Sequence, residues 1–308
     1  MEYVEEIVSL KDQLSYDGEI DTKTDFSNVV IAGMGGSGIA GKIFSLMYRE
    51  KPVFIISSYD IPEFVDHSTL FIAISYSGNT EETIYAVREA MRRRAQIAAI
   101  TTGGKLSEII KNAILIPSGL QPRSAVGFLT IPLLRGFKLI GEGDIEETKD
   151  ALAKIDGNTV ELESVASEIY NGKKIPVILG TPETEAISYR WKTQFNENSK
   201  IIAISSSFPE LNHNDTMPFK MTYRKEEFYF FSLITRFTQE PIKKRIQVTS
   251  KLCNLKFHEV AGDGQSYLSN LFTLIHKGDY ISYFLGKKRK IDPRDVSIIE
   301  ELKKELNS

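Results

Sequence analysis

The sequence predicts an α/β fold made of two lobes, each a mainly parallel five-stranded sheet flanked by helices. Short apolar runs bounded by Gly, Ser or Pro alternate with longer amphipathic segments, which is typical of βαβ units. The alternation occurs twice along 308 residues, a length that suits one large or two ordinary α/β domains. Between the two halves lies a charged stretch with a helical pattern, residues 141–173.

The first half contains five predicted strands with helical patterns between them. The strands are Asn28–Ala32, Val53–Ile56, Leu70–Ser75, Gln96–Thr101 and Ala113–Ile116. Helices are predicted at Gly38–Tyr48 and Glu81–Arg94. Because ligands of open α/β sheets bind outside the carboxyl ends of the strands, the residues that follow each strand are the candidates for binding and chemistry.

The second half repeats this plan in architecture, without obvious sequence identity. Its predicted strands are Ile175–Gly180, Lys200–Ser205, Glu227–Leu233, Leu255–Val260 and Tyr280–Leu285, with a helix at Pro182–Phe195. The charged stretch predicts helices that link the lobes. We expect the boundary near Gly143, giving an N-terminal domain of residues 1–143 and a C-terminal domain of residues 144–308.

Composition excludes several classes of protein. A formal net charge of −3 and a pI near 5.9 give none of the basic character of nucleic-acid-binding proteins. No stretch approaches the roughly 20 apolar residues of a spanning helix, and the N-terminus lacks a secretion signal, so a cytoplasmic protein away from membranes is expected. The single cysteine, Cys253, cannot form an intramolecular disulfide and is expected to be a small core residue.

The first predicted strand runs into a glycine-rich loop, residues 33–38, with the sequence GMGGSG. Its formal G-x-G-x-x-G pattern raises the possibility of dinucleotide binding. That fingerprint also requires an acidic residue at the end of the second strand, whereas the nearest acid, Asp60, comes late. A tight turn without a ligand is a further alternative. Free backbone N–H groups in such a loop are suited to binding an anion.

The third predicted strand runs into a loop rich in hydroxyl groups, residues 75–80, with the sequence SYSGNT. A helix is predicted directly after it. Hydroxyl donors and the amides of a helix N-terminus together form a phosphate site that needs no Lys or Arg. The alternative is an elaborate N-cap, since Ser and Thr favour that position. The density of hydroxyl groups exceeds the needs of one helix and favours a phosphate site.

These two loops together resemble the sugar-isomerase (SIS) superfamily, and within it the bifunctional phosphoglucose/phosphomannose isomerases. The resemblance covers nearly the whole chain and implies an enzyme that interconverts glucose 6-phosphate, and also mannose 6-phosphate, with fructose 6-phosphate. The mechanism it implies is a metal-free proton transfer through a cis-enediol. The substrate contacts it implies are Ser75, Ser77 and Thr80 for the phosphate, with Gly35, Gly36 and Ser37 against the sugar.

Proton transfer between C1 and C2 needs a base, a group that opens the sugar ring and a stabiliser of negative charge. Glu197 ends a predicted helix between two Asn residues, where a carboxylate is disfavoured by the helix dipole. The resemblance implies that Glu197 is the base. His213, in a polar loop after a strand, resembles the ring-opening histidine, which in related isomerases reaches the neighbouring subunit of a homodimer. Arg123 resembles the arginine that stabilises the enediolate.

The C-terminal segment resembles the family helix that carries a lysine for ring handling. Spacing from Pro293 and Val296 favours Lys303, with the adjacent Lys304 as the alternative. No metal is expected, because the four histidines lack i, i+4 partners and no acidic triplet has ligand spacing. The resemblance implies an isomerase that needs no cofactor. Two other functions stay open: a non-catalytic sugar-phosphate-sensing regulator, and an ammonia-using isomerase, which normally needs a glutaminase partner.

Overall fold

The computed structural model describes residues 2–23 and 25–306, with the backbone alone at Lys303 and Leu306. Its elements in the first half are α1 (Tyr3–Val8), α2 (Leu10–Gln13), β1 (Asn28–Ala32), α3 (Gly35–Met47), β2 (Val53–Ile56), β3 (Thr69–Ser75), α4 (Glu81–Arg92), β4 (Gln96–Thr101), α5 (Gly104–Ile109), β5 (Ile114–Leu115), α6 (Val126–Gly136) and α7 (Glu142–Gly157). The second half contains α8 (Val160–Asn171), β6 (Ile175–Gly180), α9 (Glu185–Asn198), β7 (Ile204–Ser207), α10 (Thr216–Met221), β8 (Phe228–Ile234), α11 (Glu240–Cys253), β9 (Phe257–Ala261), α12 (Tyr267–Lys288) and α13 (Ser297–Leu306). Two short 3-10 helices, Glu210–His213 and Lys225–Glu227, lie before α10 and β8.

The chain divides into two compact units. The N-terminal unit consists of residues 8–153 and 264–269. The C-terminal unit consists of residues 2–7, 154–263 and 270–306. None of the helices within the described ranges is long and apolar enough to cross a membrane.

The N-terminal unit is built on a parallel sheet with the strand order β2-β1-β3-β4-β5 among the described residues. Strand β3 is buried along its whole length, because its apolar residues are covered on both faces of the sheet. Since β2 lies on one side of β1 and β3 on the other, the direction of winding reverses between β1 and β3. Such a reversal opens a crevice at the carboxyl ends of the two strands, where ligands of this architecture bind.

The C-terminal unit is built on a second parallel sheet, with the order β7-β6-β8-β9 in the part of the chain that the structure describes. Its winding reverses between β6 and β8 in the same way. Helix α9 packs on β6 and β7 and buries its Trp191 and Phe195 completely. Strand β7 begins at Ile204, four residues later than the prediction of Lys200–Ser205.

The prediction of a strand at Tyr280–Leu285 is wrong, and the second sheet therefore has four strands in the described residues instead of five. These residues lie inside the 22-residue helix α12. The upstream residues Leu271, Phe272 and Ile275 are also fully buried, and they continue the apolar pattern at helical spacing. A short apolar run alone does not distinguish a buried strand from one part of a buried helix.

Candidate active site

The glycine-rich loop joins β1 to α3 in the N-terminal unit. Helix α3 begins at Gly35, three residues before the predicted start, and Gly35 has a left-handed φ of +51°. At Gly36 a Cβ atom would lie 2.8 Å from the carbonyl oxygen of Pro122 and 3.1 Å from the Cα of Arg123. The absence of a side chain at Gly36 therefore allows the loop that carries Arg123 to pack directly against the start of α3.

Ser37 and Tyr76 connect the loops of this unit at the point where the winding reverses. The Oγ of Ser37 is buried and accepts a hydrogen bond from the backbone N–H of Tyr76, at 3.3 Å. The phenol oxygen of Tyr76 accepts a hydrogen bond from the N–H of Leu120, at 3.0 Å. The loops after β1, β3 and β5 are thus tied together by two side chains, one of which, Tyr76, the sequence did not single out.

The hydroxyl-rich loop keeps its side chains in defined positions. The Oγ of Ser75 and the Oγ1 of Thr80 lie 2.9 Å apart and share a hydrogen bond. The Oγ of Ser77 accepts a hydrogen bond from the N–H of Asn79, and Ser77 is exposed. Thr80 is the N-cap residue of α4, yet its side chain makes no capping hydrogen bond. Helix capping therefore does not account for these hydroxyl groups, which favours the interpretation of the loop as an anion site.

The loop after β4 packs against the hydroxyl-rich loop. Gly78 has a φ of +68°, and a Cβ there would lie 1.8 Å from the carbonyl oxygen of Gly103. The Oγ1 of Thr102 donates to the carbonyl of Tyr76 at 2.7 Å, and the N–H of Leu106 donates to the carbonyl of Gly78 at 2.9 Å. The sequence signal for this support is the TTGG run, residues 101–104, which begins at the last residue of β4.

Arg123 lies at the same edge of the N-terminal sheet. It is 4% exposed, and its guanidinium donates to the Oε1 of Gln121 at 3.3 Å. The residues that follow Arg123 are anchored by Gln13, which is fully buried. The side-chain amide of Gln13 donates to the carbonyl of Ser124 at 2.9 Å and accepts from the N–H of Gly127 at 3.0 Å. A buried cation is thus fixed beside the glycine-rich loop.

Glu197 is the penultimate residue of α9 in the C-terminal unit and is partly buried. Its neighbour Asn198 is fully buried and anchors the end of the helix. The phenol of Tyr3 donates to the Oδ1 of Asn198 at 2.7 Å, while the Nδ2 of Asn198 donates to the Oγ of Ser282 at 2.9 Å. One of the two asparagines beside Glu197 therefore has a structural role, and it fixes the turn on which Glu197 lies.

His213 ends the 3-10 helix that follows β7, and it is exposed. Within the described residues its imidazole makes no hydrogen bond or ion pair. The flanking asparagines hold its loop, because Asn212 donates to the Oγ1 of Thr249 at 2.8 Å and Asn214 donates to Glu210 at 3.2 Å. A fixed loop with an accessible imidazole is suited to proton transfer to a group outside this chain.

The other three histidines have different surroundings. His276 is fully buried, and its Nε2 lies 2.7 Å from the Oδ1 of Asp156. His258 packs against Tyr229 and Phe231 at the base of the C-terminal sheet, and burial is the main cause of its lowered pKa. His67 is exposed beside Asp66.

The remaining sequence-predicted groups are placed as follows. Lys303 belongs to α13, but its side chain lies outside the described residues, whereas Lys304 is exposed. Cys253 is buried, and burial raises the pKa of its thiol. Across residues 2–23 and 25–306 no group of His, Cys, Asp and Glu side chains is arranged to hold a metal ion.

The C-terminal sheet has its own reversal point, but the loops there satisfy their own polar groups. After β6, the N–H of Thr181 donates to the Oγ1 of Thr184 at 2.8 Å. After β8, the N–H of Thr235 donates to the Oγ1 of Thr238 at 3.0 Å in the same geometry. The following N–H, that of Arg236, donates to Asn270. Because threonine side chains occupy the amides that an anion would need, this edge is a poor phosphate site.

Comparison with known proteins assigns a family to this arrangement. The SIS domain model matches residues 24–130, and the model of the bacterial phospho-glucose isomerase C-terminal SIS domain matches residues 160–306. The bifunctional phosphoglucose/phosphomannose isomerase of Thermoplasma acidophilum is 54% identical over 307 residues, covering 100% of this chain and 98% of the relative. The enzyme of that name from Aquifex aeolicus is 37% identical over 92% of this chain and 91% of the relative.

Solved structures agree on the fold. The C-terminal domain of glucosamine-fructose-6-phosphate aminotransferase from Francisella tularensis superposes with a TM-score of 0.73. It covers 94% of this chain and 97% of that chain, at 16% sequence identity. At this identity the likeness supports the two-sheet α/β architecture and no more.

Proposed function

Because the chain belongs to the family of bifunctional phosphoglucose/phosphomannose isomerases in the SIS superfamily, we propose that it isomerises glucose 6-phosphate and mannose 6-phosphate to fructose 6-phosphate through a metal-free cis-enediol. The observation that carries the proposal is the hydroxyl-rich loop, in which Ser75 and Thr80 are hydrogen-bonded to each other and not used as helix caps. The substrate phosphate is proposed to bind there, at the N-terminus of α4.

Phosphate binding at this loop provides the anchor for the reaction. Ser75, Ser77 and Thr80 offer hydroxyl groups, and the positive end of the α4 dipole favours a dianion. The glycine-rich loop, with Gly35, Gly36 and Ser37, is proposed to face the sugar. Binding energy from the phosphate, which does not react, is then available to orient C1 and C2.

The reaction has three steps: opening of the sugar ring, removal of the proton from C2, and return of a proton to C1. His213 is proposed to donate a proton to the ring oxygen as the bond between C1 and that oxygen breaks. The imidazole then takes up the proton of the C1 hydroxyl, which leaves the open-chain aldehyde and returns His213 to its starting protonation state. Glu197 then removes the C2 proton, and the C1 carbonyl oxygen becomes the negative oxygen of the cis-enediolate. The proton of the C2 hydroxyl passes to that oxygen, and Glu197 returns its proton to C1, which gives the ketose. Arg123 is proposed to stabilise the negative oxygen of the enediolate. Lys303 is proposed to assist ring opening.

We propose a homodimer in which the partner subunit's His213 completes the site. The exposed imidazole supports this, since it has no partner among the described residues of its own chain. The segment that follows His213 also exposes large apolar side chains, with Met217 at 69%, Met221 at 72% and Tyr223 at 89%. Exposed apolar groups of this size are suited to a subunit interface.

Both sugars yield the same cis-enediol, so dual specificity requires only that Glu197 reach the C2 proton of either epimer. We also propose a functional division near Gly143, with phosphate binding in residues 1–143 and Glu197 and His213 in residues 144–308. The substrates are charged esters that do not cross bilayers unaided, which favours a cytoplasmic location.

The direct test is an assay of both sugar phosphates with the purified protein in the presence of EDTA. We expect fructose 6-phosphate from each, and no activity in a Ser75→Ala/Thr80→Ala double variant that retains the wild-type melting temperature. If the protein binds sugar phosphate at the same loop but turns over neither substrate, the sensing function replaces the proposal.

A further inference from the structure

Lys200 lies at the turn that follows the end of α9, three residues after Glu197. Its backbone has a left-handed φ of +52°, a conformation that favours glycine over residues with a side chain. Its ammonium group donates a hydrogen bond to the backbone carbonyl of Glu197 and lies 3.4 Å from the carbonyl oxygen of Pro293. One side chain therefore bridges the Glu197 turn and the segment before α13.

This bridge is not needed to neutralise the end of the helix. The last carbonyls of a helix lack partners inside the helix, and a cation there is favourable. Arg289 already supplies one, because its guanidinium donates to the carbonyls of Ser199 and Lys200. What Lys200 adds is the connection to Pro293.

The segment with Pro293 positions helix α13, which carries Lys303. On its other side the segment is anchored by Arg294, whose guanidinium donates to the carboxylate of Glu6 at 2.6 Å, and Glu6 is only 1% exposed. Helix α13 contributes little burial of its own, since its apolar residues Ile298 and Leu302 are 71% and 57% exposed. Its position depends on the segment that precedes it.

We propose that Lys200 is a positioning residue that couples the turn of Glu197 to the segment that precedes α13, so that the base and helix α13 keep a fixed relation during turnover. The inference rests on the proposed function, since it concerns the placement of the groups to which that function assigns the chemistry. Lys200 itself does not contact the substrate. Loss of the bridge lowers kcat, while phosphate binding by the loops of the N-terminal unit keeps KM near its wild-type value.

The test is the Lys200→Gly variant, which removes the ammonium group and also relieves the left-handed backbone, so its fold is expected to persist. The matched control is Lys173→Gly. Lys173 also follows a helix and has a φ of +49°, and it is exposed. We expect kcat of Lys200→Gly to fall about 10- to 100-fold, the scale of a small misplacement of reacting groups. Lys173→Gly keeps its activity, and Lys200→Arg recovers most of the loss.

Two results would overturn the inference. One is a wild-type kcat in Lys200→Gly while Glu197→Gln is inactive, which would leave the proposed function intact. The other is a melting temperature that falls together with the activity in Lys200→Gly but not in Lys173→Gly, which would reduce Lys200 to a purely structural role. Absence of turnover in the wild-type protein would instead contradict the proposed function itself.

Discussion

The hydroxyl groups of Ser75 and Thr80 share a hydrogen bond of 2.9 Å across the loop that follows β3. The loop is rigidly supported, because Gly78 packs so closely on Gly103 that no side chain fits between them. A site with its donors already in place loses less entropy on binding than a loop that must be ordered. The corresponding loops of the C-terminal sheet are closed by their own threonines, Thr184 and Thr238.

Because the loop after β3 is preorganised while the corresponding loops of the C-terminal sheet are closed by threonines, we predict one phosphate site for each chain. Titration calorimetry with a sugar phosphate that cannot isomerise is expected to give a stoichiometry of one, and the Ser75→Ala/Thr80→Ala variant is expected to lose the binding. The matched control, Thr181→Ser/Thr235→Ser, changes the second reversal point and leaves affinity unchanged. A second site, or binding that survives in the Ser75 and Thr80 variant, would contradict this assignment.

The role of Glu197 predicts a separation of binding from turnover. We expect Glu197→Gln to retain sugar-phosphate affinity and to lose at least about 10²- to 10⁴-fold in kcat, the usual contribution of a general base. Initial-rate assays measure kcat, and titration calorimetry measures the affinity for the sugar phosphate. Glu185→Gln, an exposed acid at the other end of α9, is the control and is expected to behave as wild type. Activity near the wild-type level in Glu197→Gln would remove the base from the mechanism.

A site shared between subunits predicts complementation. Glu197→Gln and His213→Ala are each expected to be inactive as homodimers. When the two are unfolded together and refolded as a mixture, random pairing places one intact site in each heterodimer and restores about a quarter of wild-type activity in a symmetric dimer. If the mixture stays inactive while heterodimers are detected by mass spectrometry, His213 acts within its own chain or not at all.

The lowered pKa of His258 predicts that the stability of the protein depends on pH. Burial holds the pKa of His258 below its usual value, with Lys256 adding to the lowering and Glu168 opposing it. As the pH falls, the unfolded chain, with a histidine pKa of about 6.5, binds a proton before the folded chain does. The free energy of unfolding therefore decreases as the pH falls through about 6.5. We expect the melting temperature of His258→Gln to fall less between pH values of about 7.5 and 5.5 than that of wild type. His67→Gln, at an exposed histidine, should retain the wild-type slope, and an unchanged slope in His258→Gln would contradict the prediction.

Much of the N-terminal unit could be predicted from the sequence, because its strands are short apolar runs bounded by Gly and Ser. The loops after β1 and β3 carried a local signal of their own, the glycines and hydroxyl residues. The strand predicted at Tyr280–Leu285 failed for a physical reason. Tyr280, Ile281 and Leu285 are buried inside helix α12, and the neighbouring Tyr283 and Phe284 are partly buried. A short run of consecutive apolar residues like this one lacks the alternation of polar and apolar residues that distinguishes a strand from a helix.

The supporting contacts of the site could not be predicted in this way. Gln13 and Tyr76 reach residues about 40 to more than 100 positions away, and such contacts depend on the sheet order, not on local pattern. The bridge made by Lys200 is of the same kind, since Pro293 is 93 positions away. The anchor of the helix end beside Glu197 is a further contact of this kind, since Asn198 is hydrogen-bonded to Tyr3 and Ser282, both far away along the chain.

The central claim is proton transfer through an enediol without a metal, and its most direct test follows hydrogen at C2. Glucose 6-phosphate and mannose 6-phosphate are each incubated with the purified protein in deuterated water with EDTA, and the sugars are analysed by NMR. We expect turnover of both sugars, with solvent deuterium at C1 of fructose 6-phosphate and, as the reaction reverses, at C2 of the aldose. Turnover that is abolished by EDTA, or that proceeds without any incorporation of deuterium, would contradict it and indicate a hydride shift.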